Sequence, residues 1–153
     1  MIVLRTDIIK NKLKVIEENI ELVKEYLPKD IQEFKALGLV KDGIYKRIEA
    51  SIQEVINICS IINSDLKLGI PSNRDDIIVA LMDTNIISKK MTEKIKQLKG
   101  FRNFLVHRYG NINDEIAFED IKNGLSDFAL FREEIFKFLK TSITNRNPSD
   151  SLL

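Results

Sequence analysis

Apolar residues recur every three or four positions along most of the chain, which is the spacing of one face of an α-helix. The first such stripe runs from Ile9 to Leu27, and Pro28 disfavours helical geometry at the residue before it. Asp30 and Glu33 have the spacing of a capping box, so a short helical turn is expected to follow and to end at Gly38. This part of the chain therefore predicts one long helix and one short one.

The next stripe predicts a helix from about Ile44 to Ser64, and it is unusually wide. Ile58 and Ile61 lie outside the regular three-and-four spacing and leave this helix little polar surface. Such a helix either occupies the centre of a bundle or contacts a second subunit.

Three more helices are predicted in the second half of the chain. The first covers Arg74 to about Met82, the second starts at a Ser88 cap and runs through Val106, and the third begins near Asp114. Together these elements predict an all-α fold, an antiparallel bundle of four to five helices. We assign residues 1–142 to a single domain and 143–153, which lack periodicity, to a flexible C-terminal tail.

Composition narrows the class of protein. Of the 153 residues, 24 are Lys or Arg and 23 are Asp or Glu, so any binding of nucleic acid has to come from a local patch. A single cysteine excludes a disulfide framework within one chain, and one cysteine with one histidine cannot build the usual kind of zinc site. No stretch approaches the roughly 20 apolar residues of a membrane span. We therefore expect a soluble, cytoplasmic protein with no membrane association.

One segment carries candidate chemistry, Lys99 to Gly110, which contains the single histidine of the chain. Asn103 and His107 are four residues apart and so share a helix face, whereas Arg102 lies roughly 140° away around the same helix. A guanidinium, an amide and an imidazole together suit a phosphodiester substrate, because Arg pairs with phosphate oxygens and His exchanges protons near neutral pH. These residues predict cleavage of RNA through its 2′-hydroxyl without a metal.

Acid–base catalysis needs one group that accepts a proton and another that donates one. With a single histidine per chain, a symmetric dimer would supply the second group. Simpler interpretations also stand. His107 at a helix C-terminus is a favourable partner of the helix dipole, and Phe101 and Phe104 suit a core better than a base-stacking platform.

Basic residues are concentrated around this segment. Between Ser88 and Tyr109 the only acid is Glu93, against the basic residues Lys89, Lys90, Lys94, Lys96, Lys99, Arg102 and Arg108. This surface suits an RNA backbone. Alternatively, it is a solvated helix face balanced by Asp114, Glu115, Glu119 and Asp120.

The sequence resembles the HEPN superfamily, specifically the HepT-like toxins. The family pattern is R-x-x-x-x-H-x-Y with asparagine after the arginine, and RNFLVHRY, residues 102–109, matches it without departure. Further similar segments are RIEASIQEVINIC, residues 47–59, and GIPSNRDDIIVALMDTNIIS, residues 69–88. The resemblance covers roughly residues 5 to 140.

This resemblance implies a homodimer whose motifs line a cleft at the interface, and a metal-independent ribonuclease with no cofactor. Arg102, His107 and Asn103 would be catalytic, and Glu54, Arg108 and Lys99 would support them. The implied partners are RNA and an MNT-type nucleotidyltransferase antitoxin, which would silence the toxin by transferring AMP to Tyr109. Added phosphate charge would then occupy the place of the RNA phosphate.

Two other functions compete with the ribonuclease toxin. A HEPN-like chain could be a non-catalytic module that binds a nucleotide or a nucleotidyltransferase, or a structural dimerisation bundle without a ligand. Glu54 likewise could be a helix-surface acid or part of an intersubunit salt bridge. An intact Arg102–His107 pair favours the nuclease, because a pure scaffold has no chemical need for both residues.

Overall fold

The structure, a computed structural model, describes residues 3–70, 74–107 and 111–144. Within these residues it contains six helices: α1 (Thr6–Tyr26), α2 (Ile31–Lys35), α3 (Leu39–Asp65), α4 (Arg74–Asp83), α5 (Lys89–His107) and α6 (Asp114–Thr144). None of the described helices combines the length and the apolar character needed to cross a membrane. The predicted all-α class is confirmed, with four long helices and two short ones.

The four long helices form a closed ring around the core. α1 packs against α3, α3 against α5, α5 against α6, and α6 against α1. The short helix α2 lies on α6, and α4 bridges α3 and α5. In this arrangement α3 packs against three other helices, α1, α4 and α5.

Polar contacts between α1 and α3 show that the two helices are antiparallel. Moving forward along α1, Arg5 before the helix pairs with Asp65, Lys12 with Glu54, and Asn19 with Arg47. The partner numbers fall as the α1 numbers rise. The same holds for α5 and α6, where Ser88 contacts Glu134 and Lys94 contacts Asp127.

Local sequence signals set the end of α1 and the starts of α2 and α5 at the expected residues. Leu27, before Pro28, is extended with ψ 118°, so α1 stops at Tyr26. Asp30 caps α2, its Oδ1 accepting a 2.8 Å hydrogen bond from the amide of Glu33. Ser88 caps α5, its Oγ accepting a 3.0 Å bond from the amide of Met91.

The predicted start of α3 was wrong by about one turn, because the helix begins at Leu39 and not near Ile44. Leu39 is 87% exposed and Val40 41% exposed, so the first turn has no buried apolar stripe to mark it. It is held by a tertiary contact instead, the 2.9 Å ion pair between Lys41 and Asp114 of α6.

Much of the wide apolar surface of α3 is buried within the chain, because α1, α4 and α5 all pack against this helix. Ile58 is fully buried and Ile61 packs, partly buried, against the core. α6 ends at Thr144, and residues 145–153, which include most of the predicted tail, lie outside the described residues.

Candidate active site

A cleft of about 340 Å³ opens where α3, α4 and α5 meet, and we call it the Arg102 cleft. Its wall is formed by Gln53, Ile56, Asn57, Cys59 and Ser60 of α3, Ile77 and Ile78 of α4, and Lys99 and Arg102 of α5. One side is therefore apolar, another carries amides and a hydroxyl, and α5 contributes two basic side chains.

Arg102 is the most informative residue in this cleft. Its side chain is half-buried, and its Nε is fully buried without a hydrogen-bond partner among the described residues. A buried donor left unpaired costs about 1–3 kcal/mol, so proteins seldom keep one without a reason. Arg132 Nε shares this property. Arg102 also lines the cleft, so an anion that enters meets a guanidinium whose terminal N–H groups can donate to it.

The predicted catalytic residues lie on one helix. Arg102, Asn103 and His107 all belong to α5, with His107 as its last residue. Asn103 is exposed. The side chain of His107 and the whole of Arg108 and Tyr109 lie outside the described residues, so their roles stay predictions.

Glu54 is bonded to two side chains of the same chain, one on α1 and one on α3. Its Oε2 accepts a 3.1 Å contact from Lys12 Nζ of α1, and its Oε1 accepts a 3.4 Å hydrogen bond from Asn57 Nδ2. Its side chain is only 21% exposed. Glu54 does not line the Arg102 cleft, but it contacts a residue that does. Its ion pair with Lys12 lies within one chain, so Glu54 links α3 to α1.

Lys99 lies in the cleft wall together with Cys59, which is the single cysteine of the chain. Burial raises the pKa of Cys59 to about 12, although the nearby charge of Lys99 acts in the opposite direction. A protonated, buried thiol is a poor nucleophile. Cys59 therefore contributes packing to the cleft.

Two of the acidic residues at the start of α6 pair with helices other than α5. Asp114 pairs with Lys41 of α3, and Glu115 pairs with Lys35 of α2. On α5, Lys94 forms a 2.7 Å ion pair with Asp127, whereas Lys89, Lys90 and Lys96 are exposed. These three lysines are the part of the predicted cationic surface that the structure leaves open to solvent.

Phe101 and Phe104 behave as the core interpretation predicted. Both pack, partly buried, against the hydrophobic core, and their rings stack with centroids 6.0 Å apart. They line a groove between α5 and α6 and not the Arg102 cleft.

Sequence reasoning missed the polar residues of α3 that line the cleft. Gln53, Asn57 and Ser60 are spaced by four and three, so they form a polar stripe on a helix that is otherwise apolar. This spacing was visible in the sequence. Its meaning was not, because only the packing of α4 and α5 against that stripe creates a cavity there.

In the part of the chain that the structure describes, no three Asp, Glu, Cys or His side chains come together as a metal site would require. The independence from metal remains a prediction from the chemistry of the motif.

The chain is similar to proteins that are already known. Residues 16–135 match the family described as Ribonuclease HepT-like. The mRNA nuclease HepT of Shewanella oneidensis is 29% identical over 129 residues, which cover 84% of this chain and 96% of that protein. The tRNA nuclease HepT of Aphanizomenon flos-aquae is 26% identical over 137 residues, covering 83% of this chain and 91% of that protein.

The fold is similar to a solved structure as well. The tri-AMPylated HEPN toxin of Shewanella oneidensis, in complex with MNT antitoxin, superposes with a TM-score of 0.76 at 28% identity. The superposition covers 86% of this chain and 98% of that chain.

Proposed function

The chain belongs to the ribonuclease HepT-like family, and on this premise we propose that it is a metal-independent endoribonuclease, the toxin of a toxin–antitoxin pair. It acts on cytoplasmic RNA. The observation that carries the proposal is the guanidinium of Arg102 in a cleft walled by α3, α4 and α5. A guanidinium pairs with phosphate oxygens such as those of RNA.

The reaction divides between residues of one helix. His107 takes the proton of a ribose 2′-hydroxyl, the 2′-oxygen attacks the adjacent phosphorus, and the bond to the 5′-oxygen breaks. The leaving 5′-oxygen receives a proton from a second acid. Arg102 binds the extra negative charge that the phosphorus oxygens carry in the transition state, and Asn103 orients the substrate.

A homodimer supplies the second acid. Each chain has a single histidine, so two copies of α5 facing one another across a two-fold axis would provide one base and one acid. The exposed Lys89, Lys90 and Lys96 on the same helix then extend the cationic surface along which the RNA lies.

Control of this activity falls to a nucleotidyltransferase antitoxin of the MNT type. It transfers AMP to Tyr109, two residues after His107 in the chain. Each added nucleotide brings a phosphate that pairs with the arginine in place of RNA. The Shewanella oneidensis toxin, AMPylated and bound to MNT antitoxin, supports this part of the proposal.

A cleavage assay on purified protein tests the proposal directly. Wild type, His107→Ala and Arg102→Ala are incubated with total RNA and with transfer RNA in excess EDTA. Of these three proteins only wild type should cleave, and a Lys10→Ala control should retain activity because Lys10 is exposed on α1 and lies outside the cleft. Activity that disappears on chelation would contradict the metal-independent mechanism.

An intact-mass measurement accompanies this assay, because a chain that already carries AMP on Tyr109 would not cleave RNA. If an unmodified wild-type chain leaves RNA intact, the ribonuclease proposal is overturned. The non-catalytic binding module would then be the better description.

A further inference from the structure

A groove of about 360 Å³ lies between the end of α1 and the start of α3, and we call it the α1–α3 groove. Apolar side chains at this groove are open to solvent, since Tyr26 is 53% exposed, Val40 41%, and Leu39, the residue before Val40, 87%. Exposed apolar residues that cluster in this way mark surfaces that bind other proteins. The walls combine apolar groups with a glycine and an arginine, and they include Leu22, Tyr26, Val40, Gly43 and Arg47.

The glycine in this groove has no structural reason within the described chain. Gly43 lies in the second turn of α3, where glycine is less favourable than alanine. Its φ is not in the left-handed region, and a Cβ at this position would meet no described atom within 4 Å. A larger side chain would therefore fit at residue 43, and it would fill part of the groove. The glycine leaves that space for a side chain of another molecule.

The arginine in the groove has donors to spare. Arg47 Nη1 donates a 2.8 Å hydrogen bond to Asn19 Oδ1, and among the described residues no carboxylate forms an ion pair with this guanidinium. A guanidinium carries five N–H donors, and the residue is exposed, so a carboxylate of a docked molecule can pair with it. Charge and shape together fit a protein segment that presents an apolar side chain beside an Asp or a Glu.

The groove lies at the end of the bundle that carries the modified tyrosine of the proposed function. Asp114, the first residue of α6, bonds to Lys41 and Tyr45, which flank Gly43 on α3. Tyr109 precedes Asp114 by five residues, so their Cα atoms are at most about 18 Å apart. A globular domain of about 100 residues has a radius of gyration of about 13 Å. An enzyme of that size seated on the groove therefore also reaches Tyr109.

We propose that the α1–α3 groove is the surface on which the nucleotidyltransferase antitoxin docks. An apolar side chain of the antitoxin enters the space beside Gly43, and a neighbouring carboxylate pairs with Arg47. The proposed homodimer uses α5, which lies across the ring of helices from α1, so it leaves this groove open. The inference rests on the proposed function in taking an enzyme that modifies Tyr109 as the partner, and it adds the surface that this enzyme holds.

Gly43→Glu tests the groove with a substitution that should not harm the fold. The new side chain fills the groove, and its carboxylate lies four residues before Arg47, where it pairs with the guanidinium along the helix. Because Glu forms helix better than Gly, the thermal midpoint should not fall. The change is made in a full-length His107→Ala chain, and the purified nucleotidyltransferase is titrated into it in a calorimeter. We expect the Kd to rise at least about tenfold relative to His107→Ala alone.

Three further variants make the result specific. Gly124→Glu places the same side chain on α6, where the surroundings are equally open and which lies outside the groove, and it should leave the Kd unchanged. Tyr26→Phe keeps the aromatic ring and should also bind normally. Leu39→Ser removes an exposed apolar group and should weaken binding several-fold, which keeps the test valid if Gly43→Glu does not fold. Unchanged affinity in Gly43→Glu and Leu39→Ser would overturn the proposal.

Light scattering on the same samples distinguishes a second possible occupant. Gly43→Glu should have the same molar mass as its parent chain. A dimer that becomes a monomer on this substitution would show that the groove joins two copies of the chain, and the proposal would be wrong.

The outcome also separates this inference from the proposed ribonuclease activity. RNA cleavage by wild type, combined with full neutralisation of Gly43→Glu by the antitoxin, supports the nuclease and refutes the groove. Antitoxin binding that is lost in Gly43→Glu, in a chain whose unmodified wild type leaves RNA intact, supports the groove and refutes the nuclease. A wild-type chain that does not bind the nucleotidyltransferase refutes the groove, whatever the cleavage assay shows.

Discussion

The phenol of Tyr45 donates a 2.6 Å hydrogen bond to the Asp114 carboxylate, joining the start of α6 to α3. Asp114 also accepts a 2.9 Å bond from Lys41 Nζ. Residues 108–113, which connect the end of α5 to Asp114, include Tyr109 of the motif. The C-terminal end of this connection is therefore anchored to the N-terminal part of α3 by two hydrogen bonds.

Replacing Tyr45 by phenylalanine should lower the free energy of unfolding by about 1–2 kcal/mol, because a half-satisfied carboxylate stays behind. The aromatic ring, which packs edge-on against Phe34, is retained by this change. Urea unfolding measures the effect. Tyr26→Phe is the matched control, since Tyr26 is 53% exposed, and its stability should change by less than about 0.5 kcal/mol. Equal stability of the two variants would refute the role of the Tyr45–Asp114 bond.

Stability should fall as the solution becomes acidic, and Asp114 should account for part of the loss. Burial alone would raise the pKa of Asp114, but hydrogen bonds from Tyr45 and Lys41 and the charge of Lys41 together lower it below its ordinary value of 3.8. A carboxyl whose pKa is depressed by folding stabilises the folded state above the unfolded pKa and loses that contribution as the pH drops through the folded pKa. Asp114→Asn should therefore be less stable than wild type at neutral pH and should show a weaker decline below pH 3.8. Parallel curves of unfolding free energy against pH would contradict this assignment.

Arg102→Met should separate activity from stability. The substitution removes a buried donor that has no hydrogen-bond partner among the described residues, so we expect the free energy of unfolding to stay constant or to rise by up to about 1 kcal/mol. Loss of the transition-state contact should reduce RNA cleavage by at least about a hundredfold.

Arg47→Met is the comparison for this experiment. Arg47 Nη1 donates a 2.8 Å hydrogen bond to Asn19, which is only 7% exposed, so its removal leaves a buried amide unsatisfied. That variant should lose about 1–2 kcal/mol of stability in thermal or urea unfolding. A larger loss in Arg102→Met than in Arg47→Met would show that Arg102 is a structural residue.

Tyr109→Phe should escape the antitoxin while keeping ribonuclease activity, because the hydroxyl that accepts AMP is removed and Arg102 and His107 remain. Growth is measured in cells that express each toxin with the nucleotidyltransferase, and intact mass reports the added AMP. Tyr26→Phe again serves as the control and should stay neutralised. Full neutralisation of Tyr109→Phe would mean that the antitoxin acts by covering the cleft and not by modifying this residue.

Much of the fold followed from local patterns. The apolar stripe ending at Leu27, the Asp30 cap and the Ser88 cap set helix ends by interactions within a few residues, and such signals are legible in sequence. The start of α3 was missed because its first turn depends on Lys41 meeting Asp114, which is 73 positions away in the chain.

The sequence by itself determined that Arg102, Asn103 and His107 share one helix and that the chain is an all-helical bundle. Both properties depend on the 3.6-residue period of the α-helix, which is visible in the spacing of residues along the sequence. Only the tertiary structure decided that Arg102 faces a cleft with Gln53, Asn57 and Ser60, and that Glu54 is held by Lys12. It also decided that Asp114 and Glu115 at the start of α6 pair with α3 and α2, whereas Asp127 further along α6 pairs with Lys94 of α5. These outcomes depend on which helix faces pack together, a choice made by burial of the whole core and not by the spacing of residues in any one segment.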